Sequence, residues 1–298
     1  MKLTGVHILT TYQCTLQCDH CFAWGSPWQR GTMPLDRIRE VLRQAKDLGT
    51  VESVYFEGGE PFLYSASLLE AVRETVSLGF RAGIVSNAYW AASDADAWAF
   101  LQPFAGLIHD LSISSDLYHW SDPQSRQAES ARRAAESLGI PIGFMSVAQP
   151  EDTDAAPSVG KLPAGESRVM YRGRAARELA PRAVLHPWDQ FTSCTNENLV
   201  DPGRVRVDAL GNVHICQGIS LGNVFTAPLA VICASYDLAR RPVVGPLLEG
   251  GPAGLARAYE VEHDAGYADA CHLCDSVRRQ LRTRFPDALG PDQMYGEF

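Results

Sequence analysis

The sequence predicts an α/β chain: a partial, TIM-like (β/α)6 barrel followed by a small C-terminal α+β module. Two observations predict it. Short apolar, β-rich runs alternate with amphipathic helical patterns over residues 1–182, which is how parallel βα units read. Beyond that point the pattern changes to a hairpin signature and two further helices.

The strands are expected at Leu3–Thr11, Ser53–Phe56, Ala82–Ser86, Asp110–Ser114, Ile140–Val147 and Ser167–Tyr171. Helical spacing falls between them at Leu35–Leu48, Ser67–Leu78, Ala95–Phe104 and Pro123–Leu138, with Asp36 and Ser65 close to where N-caps belong. Six such units are fewer than a complete eight-unit barrel contains. Ala148–Glu166, rich in Pro, Asp, Ala and Gly, reads as a loop between the fifth and sixth units. Val205–Asp208 and Val213–Cys216 flank Ala209-Leu210-Gly211-Asn212, a hairpin, and helical patterns follow near Ala253–Val261 and Ser276–Phe285. The expected domains are therefore 1–182 and 183–298.

A chain of 298 residues that is 46% hydrophobic can bury a core of this size. Its net charge of −9 repels nucleic acid phosphates and tolerates a cationic substrate. No apolar run is long enough to span a membrane. The N-terminus reads as a first strand, not a signal peptide, so a cytoplasmic enzyme is expected. In that setting the eight cysteines are metal ligands or reactive thiols sooner than disulfides.

Three of them, Cys14, Cys18 and Cys21, share one short loop after the first strand, with the spacing C-x3-C-x2-C. Three thiolates suit an iron–sulfur cubane with one iron left open, as a catalytic metal site requires. A zinc knuckle borrowing a distant fourth ligand is the plainer reading; His20 adjoins Cys21 and is poorly placed to complete it. After the second strand comes Glu57-Gly58-Gly59-Glu60-Pro61. Glycines allow close backbone approach, and a carboxylate pairs with an ammonium.

The triad, aromatic Phe22 behind it and the Gly58-Gly59-Glu60-Pro61 motif together resemble the radical S-adenosylmethionine (SAM) superfamily. That resemblance implies a [4Fe–4S] cluster on Cys14, Cys18 and Cys21 and SAM chelating its open iron. It also implies reductive cleavage to a 5′-deoxyadenosyl radical that takes hydrogen from the substrate. The motif's backbone and Glu60 would hold the methionine amino group. Ser86 and Asn87 would meet the ribose, Ser114 the ribose or the methionine carboxylate, and Arg168 or Arg172 would pair that carboxylate. Turn capping and surface ion pairing are the plain readings of these residues. Asp116, Tyr118 and His119, past the fourth strand, are loop residues that a substrate would reach.

Cys194, Gly211 to Cys216, and Cys271-His272-Leu273-Cys274 just ahead of a helix resemble the twitch/SPASM-type auxiliary domain of the same superfamily. The resemblance implies a second, auxiliary [4Fe–4S] cluster on Cys194, Cys216, Cys271 and Cys274; a four-cysteine zinc site uses the same residues. His214 and His272 flank ligands without being ligands.

Cys233 remains. It is either a small buried hydrophobe on a helix or a thiol that returns hydrogen to a substrate radical from the opposite face. The second reading resembles radical SAM epimerases of aminoglycoside antibiotic biosynthesis, with Cys233 as hydrogen donor and a cationic aminosugar as substrate. The alternatives are an aminocyclitol dehydrogenase, which needs no spare thiol, and a maturase of ribosomal peptides. A flavodoxin- or ferredoxin-type electron donor would serve all three; nucleic acid and membrane partners are not expected.

Overall fold

Along each strand, side chains of one parity are apolar and those of the other largely polar, and this alternation builds a sheet with a dry outer face and a wet inner one. The structure is a computed structural model that describes residues 1–122, 125–152, 166–237 and 241–297. Its elements run in chain order as β1 (Gly5–Leu9), α1 (Leu35–Asp47), β2 (Ser53–Glu57), α2 (Ser65–Ser77), β3 (Arg81–Ser86), α3 (Asp94–Leu101), β4 (Ile108–Ser114), α4 (Arg126–Ser137), β5 (Ile142–Val147), β6 (Glu166–Ser167) and α5 (Arg174–Glu178). There follow β7 (His186–Pro187), β8 (Arg204–Val207), β9 (Asn212–Cys216), β10 (Ile219–Asn223), α6 (Leu229–Ala234), α7 (Val244–Ala258), β11 (Gly266–Tyr267) and α8 (Ala270–Leu281).

Among the described residues one sheet carries nine strands in the order β10-β9-β8-β1-β2-β3-β4-β5-β6. Strands β1 to β6 pair in parallel, giving the partial TIM-like (β/α)6 barrel. Val6, Ile8, Val54, Phe56, Ile84, Leu111 and Ile113 point outward into the core beneath the helices. The opposite parity, including His7, Tyr55, Glu57, Asp110 and Ser112, faces the hollow of the barrel. Of the described residues, no helix is long and apolar enough to cross a membrane.

The hairpin β8–β9 is antiparallel, and its first strand joins β1 in parallel, with Gly5 opposite Arg204. The sheet is thus continuous across residue 182. Asp208 organises the turn: its Oδ1 accepts from the Leu210 and Asn212 amides, each at 2.9 Å. Its Oδ2 accepts from the Tyr12 hydroxyl at 2.8 Å and lies 2.8 Å from His214 Nε2, tying the end of β1 to the hairpin. His214 is therefore a buried structural group. Gly211 sits at φ +89°, and a Cβ there would lie 2.4 Å from the Phe225 ring.

Several element boundaries differ from expectation. Among the described residues the sixth strand covers Glu166–Ser167 and stops short of Tyr171, whose amide donates to Asp269 Oδ2 at 3.2 Å. Pro34, not Asp36, holds the N-cap position of α1, and Tyr64 rather than Ser65 that of α2. Glu60 caps the short Pro61–Tyr64 turn that precedes it. Helix α7 starts earlier than expected and breaks at Gly250-Gly251. Cys271 and Cys274 lie in the first turns of α8, not ahead of it. The start of the expected Pro123–Leu138 helix and residues 153–165 of the expected loop lie outside the described residues.

Candidate active site

The barrel encloses a cavity of about 730 Å³ at the C-terminal ends of its strands, the end at which βα barrels carry their chemistry. Cys14, Cys18 and Cys21 all line it, together with Phe22, Gly58, Gly59, Ser86, Asn87, Ser114, Arg168 and Arg172. The triad loop is pinned by backbone bonds, Cys14 N to Ser26 O at 3.0 Å and Cys21 N to Cys18 O at 3.1 Å. Buried Arg174 clamps it from the segment after β6, donating to Cys18 O at 2.7 Å and Gly25 O at 2.8 Å.

The sulfurs are dressed for a cluster. Cys14 Sγ accepts from Leu16 N and Asn87 Nδ2, each at 3.5 Å, and Cys21 Sγ from Gly25 N at 3.2 Å. Burial pushes the Cys14 thiol up to about 12 and the Cys18 thiol higher still. Buried thiols of this kind give up their protons when a metal cation takes their place. The donor set therefore fits a three-thiolate iron–sulfur cluster.

The Glu60 side chain does not line the cavity. It is fully buried and accepts from Phe62 N at 3.0 Å, Ser86 Oγ at 3.0 Å and Asn87 N at 2.8 Å. Desolvation pushes its carboxyl up to about 7 against those hydrogen bonds. This corrects the expectation that Glu60 offers its carboxylate to an ammonium. Glu60 and the adjoining Pro61 instead lock the motif to the end of β3, and the cavity meets only Gly58 and Gly59. Gly59 packs so closely on the triad loop that a Cβ would sit 2.0 Å from Gln13 O. Gly59→Ala is expected to cost about 1–3 kcal/mol or more by overpacking. A lowered Tm and a raised KM for SAM would report it.

Several cavity residues were not anticipated as a site: His7, Tyr55, Glu57, Asp110, Glu197, Arg204 and Arg206. Glu57 pairs with Arg206 Nε at 2.7 Å and His7 Nδ1 at 3.3 Å. Burial opposes its ionisation, but these partners hold its carboxyl well below the usual range. Glu197 is ringed by Arg172 at 3.1 Å, Arg204 at 3.7 Å and Arg206 at 3.9 Å. The guanidiniums of Arg172 and Arg206 also lie over Phe22, 5.6 and 5.1 Å from its centroid. On the floor, Asp110 accepts from Ser112 Oγ at 2.9 Å and from the Tyr55 hydroxyl. The polar members of Val54-Tyr55-Phe56-Glu57 and Arg204-Val205-Arg206-Val207 carried the signal: they are the inward parity of their strands.

Past β4, Asp116 is 1% exposed and anchored by the amides of Tyr118 at 3.0 Å and Val147 at 3.2 Å. Its Oδ1 lies 2.7 Å from His119 Nδ1. Burial opposes ionisation of Asp116, yet the His119 hydrogen bond and the neighbouring imidazoles keep its carboxyl below the usual range. An ionised Asp116 only accepts, so His119 donates from Nδ1, and the neutral form of the ring offers its lone pair at Nε2. His20, the neighbour of Cys21, stacks on Tyr118 at 4.7 Å and meets His119 edge-on at 5.0 Å.

Cys194, Cys216, Cys271 and Cys274 come together around a second, smaller cavity of about 20 Å³. Cys271 and Cys274 share one face of α8, whose N-cap Asp269 accepts from His272 N at 2.7 Å. His272 itself accepts from Ala268 N through Nδ1 at 3.2 Å and is no ligand. Cys271 Sγ accepts from Asn196 Nδ2 at 3.1 Å, and Cys216 Sγ from Arg172 Nη1 at 3.7 Å. Four converging sulfurs with N–H donors fit a fully ligated cluster. Arg172 is thereby committed to Glu197 and Cys216, which corrects its expected pairing with a methionine carboxylate.

Cys233 lines neither cavity. It is 4% exposed on α6, which packs on α1 and β10. Its carbonyl accepts from the Met1 amine at 2.9 Å, at the end of β1 remote from the triad. The structure therefore gives it the role of a small buried hydrophobe and corrects the hydrogen-donor expectation. Cys233→Ala is expected to leave turnover unchanged. Loss of a stereochemical inversion with 5′-deoxyadenosine formation intact would contradict this placement.

The family profile described as the Radical SAM superfamily matches residues 8–157. The protein named "Putative peptide biosynthesis protein YydG" from Bacillus subtilis is 29% identical over 108 residues, 36% of this chain and 34% of that one. The GTP 3′,8-cyclase of Cronobacter sakazakii is 32% identical over 103 residues, 33% of this chain and 31% of that one. The chain thus spans about a third of the length of these curated relatives. Among solved structures, BtrN in complex with AdoMet and 2-DOIA superposes with a TM-score of 0.55 at 14% identity, covering 84% of this chain and 89% of BtrN. SuiB of Streptococcus suis bound to S-adenosylmethionine gives 0.51 at 16% identity, covering 79% and 66%. At such identities the likeness is one of fold.

Proposed function

We infer that this chain, which belongs to the radical SAM superfamily, is an oxidoreductase that converts a secondary alcohol of a small amino sugar or aminocyclitol to a ketone. One observation carries this reading. The large cavity holds an Asp–His pair and shares a wall with the four-cysteine site, while the leftover cysteine opens on neither. An alcohol dehydrogenation needs a proton acceptor and an electron acceptor; an inversion needs a hydrogen donor, and Cys233 is remote.

When bound, the two clusters and SAM supply a 5′-deoxyadenosyl radical at the triad and a one-electron acceptor at the four cysteines. The protein's own groups do the rest. Gly58 and Gly59 bring bare backbone to the cofactor, and the Phe22 ring lies beneath the guanidiniums of Arg172 and Arg206. Asp110 is held by two hydroxyls, whereas Glu57 and Glu197 are spent on arginines, so it is the carboxylate suited to receive a substrate ammonium. His119 Nε2 takes the hydroxyl proton of the substrate, and buried Asp116 stabilises the imidazolium that results.

The test is anaerobic incubation with SAM, a flavodoxin- or ferredoxin-type donor and candidate aminocyclitols in heavy water. A ketone formed one-to-one with 5′-deoxyadenosine supports the reading. Solvent deuterium at an inverted carbon overturns it in favour of an epimerase. The likeness to the peptide biosynthesis protein supports a second reading, peptide modification, which turnover of a precursor peptide but of no amino alcohol would establish.

A further inference from the structure

We propose that Arg172 sets the reduction potential of the iron–sulfur cluster held by Cys194, Cys216, Cys271 and Cys274, and that Glu197 opposes it. The inference rests on the reading of those four thiols as a cluster site.

Arg172 borders both cavities: it lines the large one with Glu197 and the small one with all four thiols. It is 5% exposed. Its Nη1 lies 3.7 Å from Cys216 Sγ and 3.1 Å from Glu197 Oε1. Its Nε is buried without a hydrogen-bond partner among the described residues. A buried, unpartnered N–H beside a thiol-lined cavity is costly unless an acceptor arrives, and the sulfurs of a cluster are acceptors.

Hydrogen bonds to the sulfurs, local charge and burial are what tune such a potential. Reduction adds a negative charge, so a guanidinium in a low-dielectric wall favours the reduced form and raises the potential. The Glu197 carboxylate works against this at the same Nη1 that reaches the Cys216 sulfur. It is itself gripped by Arg204 and Arg206 at 3.7 and 3.9 Å, so neutralising it leaves a local excess of positive charge. The two substitutions must therefore move the potential in opposite directions. General loosening of the site would not produce that pattern.

The experiment is an EPR-monitored redox titration of the reconstituted full chain, with the triad signal identified by its response to added SAM. Arg172→Gln is expected to shift the midpoint of the second cluster to more negative values and Glu197→Gln to more positive ones. Arg172→Lys, which keeps the charge but loses the fork, should fall between Arg172→Gln and the unmodified protein. Midpoints that stay put, or that both move the same way with iron content intact, overturn the inference alone. Zinc, or no metal, at the four cysteines of the unmodified protein overturns the cluster reading and the inference with it.

Discussion

Cys18→Ala should abolish formation of 5′-deoxyadenosine from SAM under reducing conditions while leaving the fold in place. The fold survives because the contacts that shape the triad loop do not use the sulfur. Arg174 bonds the Cys18 carbonyl at 2.7 Å, and the Cys21 amide bonds the same oxygen at 3.1 Å. The chemistry does not survive, because Cys18 is one of three protein ligands to a cluster that must keep one iron open for the cofactor. Two thiols leave that cluster underligated. Iron content, measured beside circular dichroism, separates the two effects. A native spectrum with iron lost from the triad and cleavage at background is the outcome this geometry requires. Undiminished cleavage would remove Cys18 from the ligand set.

His119→Ala should lower ketone formation by about 10²–10⁴-fold, the usual contribution of a general base, while 5′-deoxyadenosine continues to form. The split arises because the two steps use different parts of the cavity. The radical is generated at the triad, whereas His119 acts on the substrate hydroxyl through the nitrogen that Asp116 leaves as an acceptor. Removing the imidazole leaves Asp116 in place, since its other bonds come from the backbone of Tyr118 and Val147. Added imidazole should restore part of the lost rate. Equal loss of both products would instead make His119 a structural support of the cofactor site. An unchanged ketone yield would remove it from the reaction.

Much of this was legible in the sequence because its signals are local. Strand–helix alternation gave six parallel units. The C-x3-C-x2-C loop and the double-glycine motif fell at the mouth of the barrel because each directly follows a strand. The four later cysteines, which the resemblance to an auxiliary domain grouped together, line one small cavity.

What was not legible depends on the third dimension. Arg204 and Arg206 read only as part of a hairpin strand, and nothing near them says that this strand adds to β1 and turns both guanidiniums inward. Glu60 lies in a motif that suggests ligand binding, but its direction is set by partners 26 and 27 residues away at Ser86 and Asn87. Cys233 was assigned by elimination, and a leftover thiol carries no address. Its site is fixed by α6 packing on α1, at the far end of the barrel from the triad.

Anaerobic purification and reconstitution, followed by metal analysis and assay of SAM cleavage on reduction, bears most directly on the whole account. Two cubane clusters, about eight irons per chain, with 5′-deoxyadenosine produced only when electrons are supplied, is the predicted result. Zinc on Cys14, Cys18 and Cys21, or intact SAM after reduction of an iron-loaded protein, would contradict it.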